Sequence, residues 1–215
     1  MPRSLIAQPL LSRRQALKLS AAGLSSLLAS RHAGADGDLS FGINIDGHPV
    51  TALAHPGDGY VAAVFVATDC PIANRYLPLL AHMGQQCAAQ HVRLWLVYPN
   101  PGDTLAVVRS HQQQYPEAAA LPQLIAPDPR LIAQAHVHVT PEAALFRAGQ
   151  VMTAPVLWHG RIDNRYLSFG TQRPAATRHD FADAIRAVIA GQPPLHPPAP
   201  PVGCAILPRT FTDHA

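Results

Sequence analysis

The chain has 215 residues, 48% of them hydrophobic and 13% charged, with 16 Lys+Arg against 13 Asp+Glu for a formal net charge of +3. This length fits one modest domain plus a segment at its start, and no apolar stretch is long enough to span a membrane. Five of the cations (Arg3, Arg13, Arg14, Lys18 and Arg31) precede residue 36 with no acid among them, so the rest carries 11 arginines against 13 acids, which excludes a nucleic-acid reading built on a basic stripe.

The opening stretch "SRRQALKLSAAGLSSLLASRHAGAD" has a twin-arginine pair after Ser12, a short mildly apolar run from Leu17 to Ala29, and the small-residue triplet Ala33-Gly34-Ala35. Residues 1–35 resemble a bacterial twin-arginine export signal, which is cleaved and delivers the mature chain to the periplasm. An N-terminal amphipathic helix is the alternative. "LSFGINIDGHPVTALA" (39–54) reads as two short strands around an Asp46-Gly47 turn. "YVAAVFVA" (60–67) is continuously apolar, the pattern of a strand buried on both faces.

A helix is expected next. Ile72, Tyr76, Leu79, Leu80, Met83 and Cys87 recur every three or four residues, Pro71 suits a first turn, and Pro78 predicts a kink. "VRLWLVY" (92–98) is a second buried strand, and Asp103 is a candidate N-cap for a helix reaching about Tyr115. "LPQLIAPDPRLIAQAHV" predicts a short strand and a short helix. "EAALFRAGQVMTAPVLWHG" predicts an antiparallel hairpin around Ala148-Gly149. "HDFADAIRAVIAGQP" is the clearest helix, with Asp180 near its cap, an apolar face from Phe181 to Ile189, and Gly191 and Pro193 as stops. The end of the chain is proline-dense and extended. The fold class is α/β: a mixed central sheet flanked by helices, with an N-terminal β-hairpin and a proline-rich C-terminal arm, strung in the order of a thioredoxin-like fold. The domain reading is a signal at 1–35, the thioredoxin-like domain at 36–191, and an arm at 192–215 that carries Cys204.

Four motifs sharpen this. "DCPIANRYLPLL", "HVTPEAALF", "LWHGRIDNRY" and "PPVGCAI" together resemble the exported redoxin-like branch of the thioredoxin superfamily, related to the alkyl hydroperoxide reductase/thiol-specific antioxidant group. The resemblance spans roughly residues 40 to 206. It implies a thiol-disulfide oxidoreductase with a cis Thr140-Pro141 bond against the active cysteine, where Thr140 and Pro141 shape the substrate groove. The pattern also departs from its relatives. A dithiol motif would place a second cysteine at Ala73, and a peroxidase motif would place Thr or Ser at Ala67 and Pro at Ala63.

The residues support a nucleophile independently. Cys70 follows a buried strand and opens a helix, where unpaired N–H groups and the helix dipole favour a thiolate. The charge of Asp69 opposes this. Cys87 lies seventeen residues further along the same helix, roughly 25 Å away at about 1.5 Å per residue, and falls on the apolar face. Cys204 is the better partner, because thirteen extended residues after Gly191 reach about 40 Å. The expected pair is therefore a Cys70–Cys204 disulfide, either a permanent staple or an exchangeable couple. The substrate is a protein or small-molecule thiol or disulfide, and no cofactor is implied.

Two other readings stay open. In a copper-handling relative, Cys70 and Cys204 would be joined by His136, His138 or His159, with "HVHV" placing the first two on one side of a strand. A redox-inert binding module would use the fold alone, with Arg161, Asp163 and Arg165 as contacts or surface pairs.

Overall fold

A computed structural model describes residues 40–195 and 200–207 of the chain; the expected export signal at 1–35 lies outside the described residues. Five strands form the central sheet: β1 (Tyr60–Phe65), β2 (Val92–Tyr98), β3 (Gln123–Ile125), β5 (Glu142–Arg147) and β6 (Trp158–Gly160). They lie in the order β3-β2-β1-β5-β6. β1, β2 and β3 run parallel, while β5 is antiparallel to β1 and β6 to β5. The sheet is thus mixed, as expected.

The two-residue side-chain period of β1 feeds two cores. Ala62 and Val64 face one layer with Tyr76 and Leu80 of α1 (Pro71–Ala88) and with Phe181 and Val188 of α4 (Asp180–Ile189). Val61, Ala63 and Phe65 face the other, with Leu131 and Ala135 of α3 (Pro129–Ala135). Burial on both faces is why the strand reads as an unbroken apolar run. A further helix, α2 (Leu105–Gln114), adds Val108 to the first layer. Trp158 stacks on Phe181 with ring centroids 5.9 Å apart, fixing α4 against the edge strand.

Local chemistry overrides several expectations. Thr104, not Asp103, caps α2 by accepting from the Val107 N–H. Asp103 is buried and accepts from the N–H and hydroxyl of Thr68 instead. The Asp46-Gly47 segment does turn, its flanks joined by the Phe41–Val50, Val50–Gly42 and Asn44–His48 backbone hydrogen bonds and the bridge Ile43–Pro49, and Ile43 also bridges to Ile125 at the sheet edge. β5 and β6 do pair antiparallel. Ala148-Gly149 does turn, with the Gln150 N–H donating to the Arg147 carbonyl, but the register, Leu145 opposite Trp158, makes it the start of a longer connection over residues 148–157. α1 runs through Pro78 without interruption. The imidazoles of "HVHV" do not share a strand: His136 ends α3 in a left-handed conformation (φ 54°), and β4 (Val139–Thr140) starts after His138.

Candidate functional site

The site forms where β1 ends. The loop into α1 is held from behind: Asp103 Oδ1 accepts from the Thr68 N–H at 3.0 Å and its hydroxyl at 2.6 Å, and the Asn74 amide donates to the Thr68 carbonyl at 3.0 Å. His111 of α2 meets Asn74 Oδ1 at 2.8 Å, extending this support. Burial holds the His111 imidazole below its ordinary pKa. Cys70 is the N-cap of α1, with its sulfur accepting from the Ala73 N–H at 3.5 Å. The side chain is fully buried.

From the other side comes the Thr140–Pro141 segment, whose peptide bond is cis. The Cys70 thiol donates to the Thr140 carbonyl at 3.1 Å. Glu142 arranges that segment. Its buried carboxylate accepts from the His138 N–H at 2.9 Å and the Val139 N–H at 3.4 Å, and lies 3.4 Å from His159 Nδ1. Glu142 was visible in the sequence only as the fifth letter of "HVTPEAALF". The signal that marks it is a carboxylate directly after a proline inside an apolar strand.

The arm completes the site. β9 (Cys204–Ala205) pairs antiparallel with β4, Cys204 opposite Thr140. The Ile206 N–H donates to the His138 carbonyl at 2.9 Å, and the Leu207 N–H to Asn100 Oδ1 at 2.9 Å. Further back, Trp158 Nε1 donates to the Leu195 carbonyl at 2.9 Å. Gly203 makes the approach possible: a Cβ there would lie 2.1 Å from the Thr140 carbonyl oxygen. Cys204 lies beside Cys70, and burial, then the nearness of Cys70 and the charge of Asp69, push its thiol up to about 12. Cys70 and Cys204 are neighbouring free thiols, not a formed disulfide. Cys87 lies in the α1 core, where burial pushes its thiol up to about 11.

The remaining candidates are placed differently. Arg161 is ion-paired with buried Asp180 at 2.7 Å, and Arg178 meets the same carboxylate at 2.9 Å. Asp163 is buried and accepts from the Tyr76 hydroxyl and the Arg165 N–H. The loop Arg161–Asp163 is therefore internal scaffolding rather than a surface pair. His136 tilts against His159 with ring centroids 5.8 Å apart. Among the described residues, no group of three or more His, Cys, Asp or Glu is placed to hold a metal ion, so the copper ligand set does not assemble. Among the same residues, no helix is long and apolar enough to cross a membrane.

No protein-family model and no curated protein sequence matches the chain. Solved structures do. A hypothetical protein, SMc02350, from Sinorhizobium meliloti 1021 superposes with a TM-score of 0.57 at 19% identity, covering 76% of this chain and 87% of its own. An uncharacterized conserved protein from Geobacillus kaustophilus does so with a TM-score of 0.57 at 18% identity, covering 80% and 90%. A looser likeness, TM-score 0.45 at 18% identity over 73% and 99%, is to a secreted Mycobacterium tuberculosis disulfide oxidoreductase homologous to E. coli DsbE. The two closer superpositions run through most of both chains, so the fold is shared even where the sequences have diverged. With three parallel strands, an antiparallel return and a cis-proline facing the cysteine that opens the first helix, the chain has a thioredoxin-like fold, as its element order predicted.

Proposed function

We propose that this protein is an exported thiol-disulfide oxidoreductase in which Cys70 is the nucleophile and Cys204 the resolving thiol. The observation that carries the reading is the pairing of β9 with β4, which brings Cys204 near Cys70 at a helix N-terminus. Two thiols so arranged, one on a helix cap and one on a tethered strand, are suited to exchange a disulfide between them.

The chemistry balances with these two residues. The Cys70 thiolate attacks one sulfur of a substrate disulfide, a new S–S bond forms, the substrate's own S–S bond breaks, and the displaced thiolate takes up a proton. Cys204 gives up its proton and attacks Cys70, closing the Cys70–Cys204 disulfide and releasing the second substrate thiol. The substrate disulfide gains two electrons and the cysteine pair loses them; the reverse sequence oxidises a dithiol. The opposing contacts at Cys70 have defined roles in this scheme. The Ala73 N–H stabilises the anion, while the Thr140 carbonyl holds the proton of the resting thiol.

Residues 1–35 act as a cleaved twin-arginine signal, which places this chemistry in an oxidising compartment. Residues 36–191 form the catalytic domain and 192–215 the arm. Thr140 and Pro141 form the wall along which the substrate backbone approaches, a position now held by Gly203 and Cys204.

Thiol mapping of the mature protein tests the reading. After mild oxidation and alkylation, mass analysis should find Cys70 linked to Cys204 and Cys87 free, and a redox-buffer titration should open the link at a moderate potential. In Cys204→Ser, the mixed disulfide on Cys70 should accumulate. A link that resists reduction would instead make the pair a staple on a binding module. Failure of Cys70 to form any mixed disulfide would remove the nucleophile.

A further inference from the structure

The excursion between β6 and α4, residues 161–179, holds four arginines and one acid. Three of those arginines are engaged: Arg161 and Arg178 by Asp180, and Arg173 by the Asn164 carbonyl. Arg165 reaches the Pro174 carbonyl with one guanidinium nitrogen at 3.4 Å, and Arg75 lies five residues after Cys70 on α1. Both are exposed, and neither is ion-paired with a carboxylate among the described residues. With Tyr76, Leu79, Tyr166 and Gln172 they line an open cavity of about 280 Å³. Asp163 at its base is already bonded to Tyr76 and to the Arg165 N–H.

Apolar surface adjoins these charges. The hairpin of β7 (Tyr166–Ser168) and β8 (Thr171–Gln172) leaves Leu167 52% and Phe169 63% exposed, and Leu79 on α1 is 37% exposed. Tyr76 packs against Tyr166 with tilted rings and centroids 5.8 Å apart, joining hairpin to helix. The same two tyrosines continue into a narrow cleft bounded by Pro141 and by Val202, two residues before Cys204. A cationic and apolar surface therefore ends beside Pro141 and Val202, on the segments next to the two cysteines.

We propose that this surface docks an acidic polypeptide that carries an apolar side chain beside its carboxylates and holds its cysteine at the Pro141 edge of the Cys70 site. The arrival of a thiol or disulfide rests on the function proposed above; the docking does not. Guanidinium groups bind carboxylates through paired hydrogen bonds. Exposed Phe169 and Leu167 supply apolar contact that a small anion would not use, which selects a polypeptide. The chain beyond residue 35 is net negative, so an acidic partner is repelled elsewhere and accepted here.

The test is titration of the mature protein with a labelled peptide containing glutamates, one leucine, and serine in place of cysteine, followed by fluorescence anisotropy at low and high salt. Binding should weaken with salt and weaken by roughly tenfold or more in the double variant Arg75→Gln/Arg165→Gln. Phe169→Ser should weaken it separately, and a lysine peptide of equal length should not bind. Equal binding of both peptides, no binding of either, or unchanged affinity in the double variant overturns the proposal. Reaction of the wild type with the uncharged hydroxyethyl disulfide is measured alongside; its absence would sink the thiol chemistry while leaving the docking result to be read from the anisotropy.

Discussion

Gly203 and Cys204 show how single residues set the site. The Thr140 carbonyl lies where a Cβ on residue 203 would be, at 2.1 Å, and the obstacle is backbone that cannot rotate away. Forcing a methyl group into so close a contact costs about 1–3 kcal/mol. The hydrogen bonds of the docked arm contribute about 1 kcal/mol each net, against an ordering cost of about 1 kcal/mol or more per residue. The penalty is therefore of the same order as the docking itself. Gly203→Ala should release the arm, raise the alkylation rate of Cys204 at neutral pH by tenfold or more as the sulfur loses the contacts that hold it up near 12, and leave the melting of the domain almost unchanged. Thiol labelling with mass detection, beside a thermal scan, checks all three.

At the scale of elements, the relation between β9 and β4 governs access. An arm paired with the cis-proline segment occupies the edge that a polypeptide substrate would use under the proposed function. Truncation after Leu195 should increase the rate at which an external peptide disulfide is trapped on Cys70, because the edge is open. The trapped species should then persist, since no resolving thiol remains. Quenched time courses analysed by mass would separate faster capture from lost resolution. Unchanged capture on truncation would mean that the arm leaves the edge faster than the substrate arrives. Behind the arm, the Asp103–Thr68 and Asn74–His111 contacts hold the loop of Cys70 whether or not β9 is docked.

For the whole molecule, buried hydroxyls and thiols set an alkaline limit. Cys87 moves from the ordinary 9.0 to about 11 through burial, and Tyr76 and Tyr98 are raised by burial as well. A raised pKa means that the folded state binds the proton more tightly than the unfolded chain. The resulting stability is fully present below the unfolded value and is lost as pH rises through the folded one. For Cys87 the window runs from about pH 9 to about pH 11. Urea unfolding midpoints should hold below pH 9 and fall above it, and Cys87→Ala should flatten part of that fall at the cost of a lower midpoint overall. A midpoint independent of pH across this window would contradict the buried placement of Cys87.

Some of this was legible from residue order alone. β1 and β2 each bury both faces, so their sequences are apolar without interruption and need no knowledge of their neighbours to be read as strands. α1 and α4 announce themselves by period, and Cys70 by its place between a strand and a proline-started helix. Asp103 was misjudged because a carboxylate before a helix has the same local signature whether it caps that helix or turns inward to Thr68. The length of the β5–β6 connection was misjudged because its register is set by packing of Trp158 on Phe181, far along the chain. The sequence by itself determined the order of the main-sheet strands and the helices, the α/β class and the helix-opening cysteine, since these rest on periodicity and local backbone preference. Only the tertiary structure decided that Cys204 meets Cys70, that Gly203 must lack a side chain and that Arg75 and Arg165 share one cavity, because each of those relations joins residues with no fixed spacing along the chain.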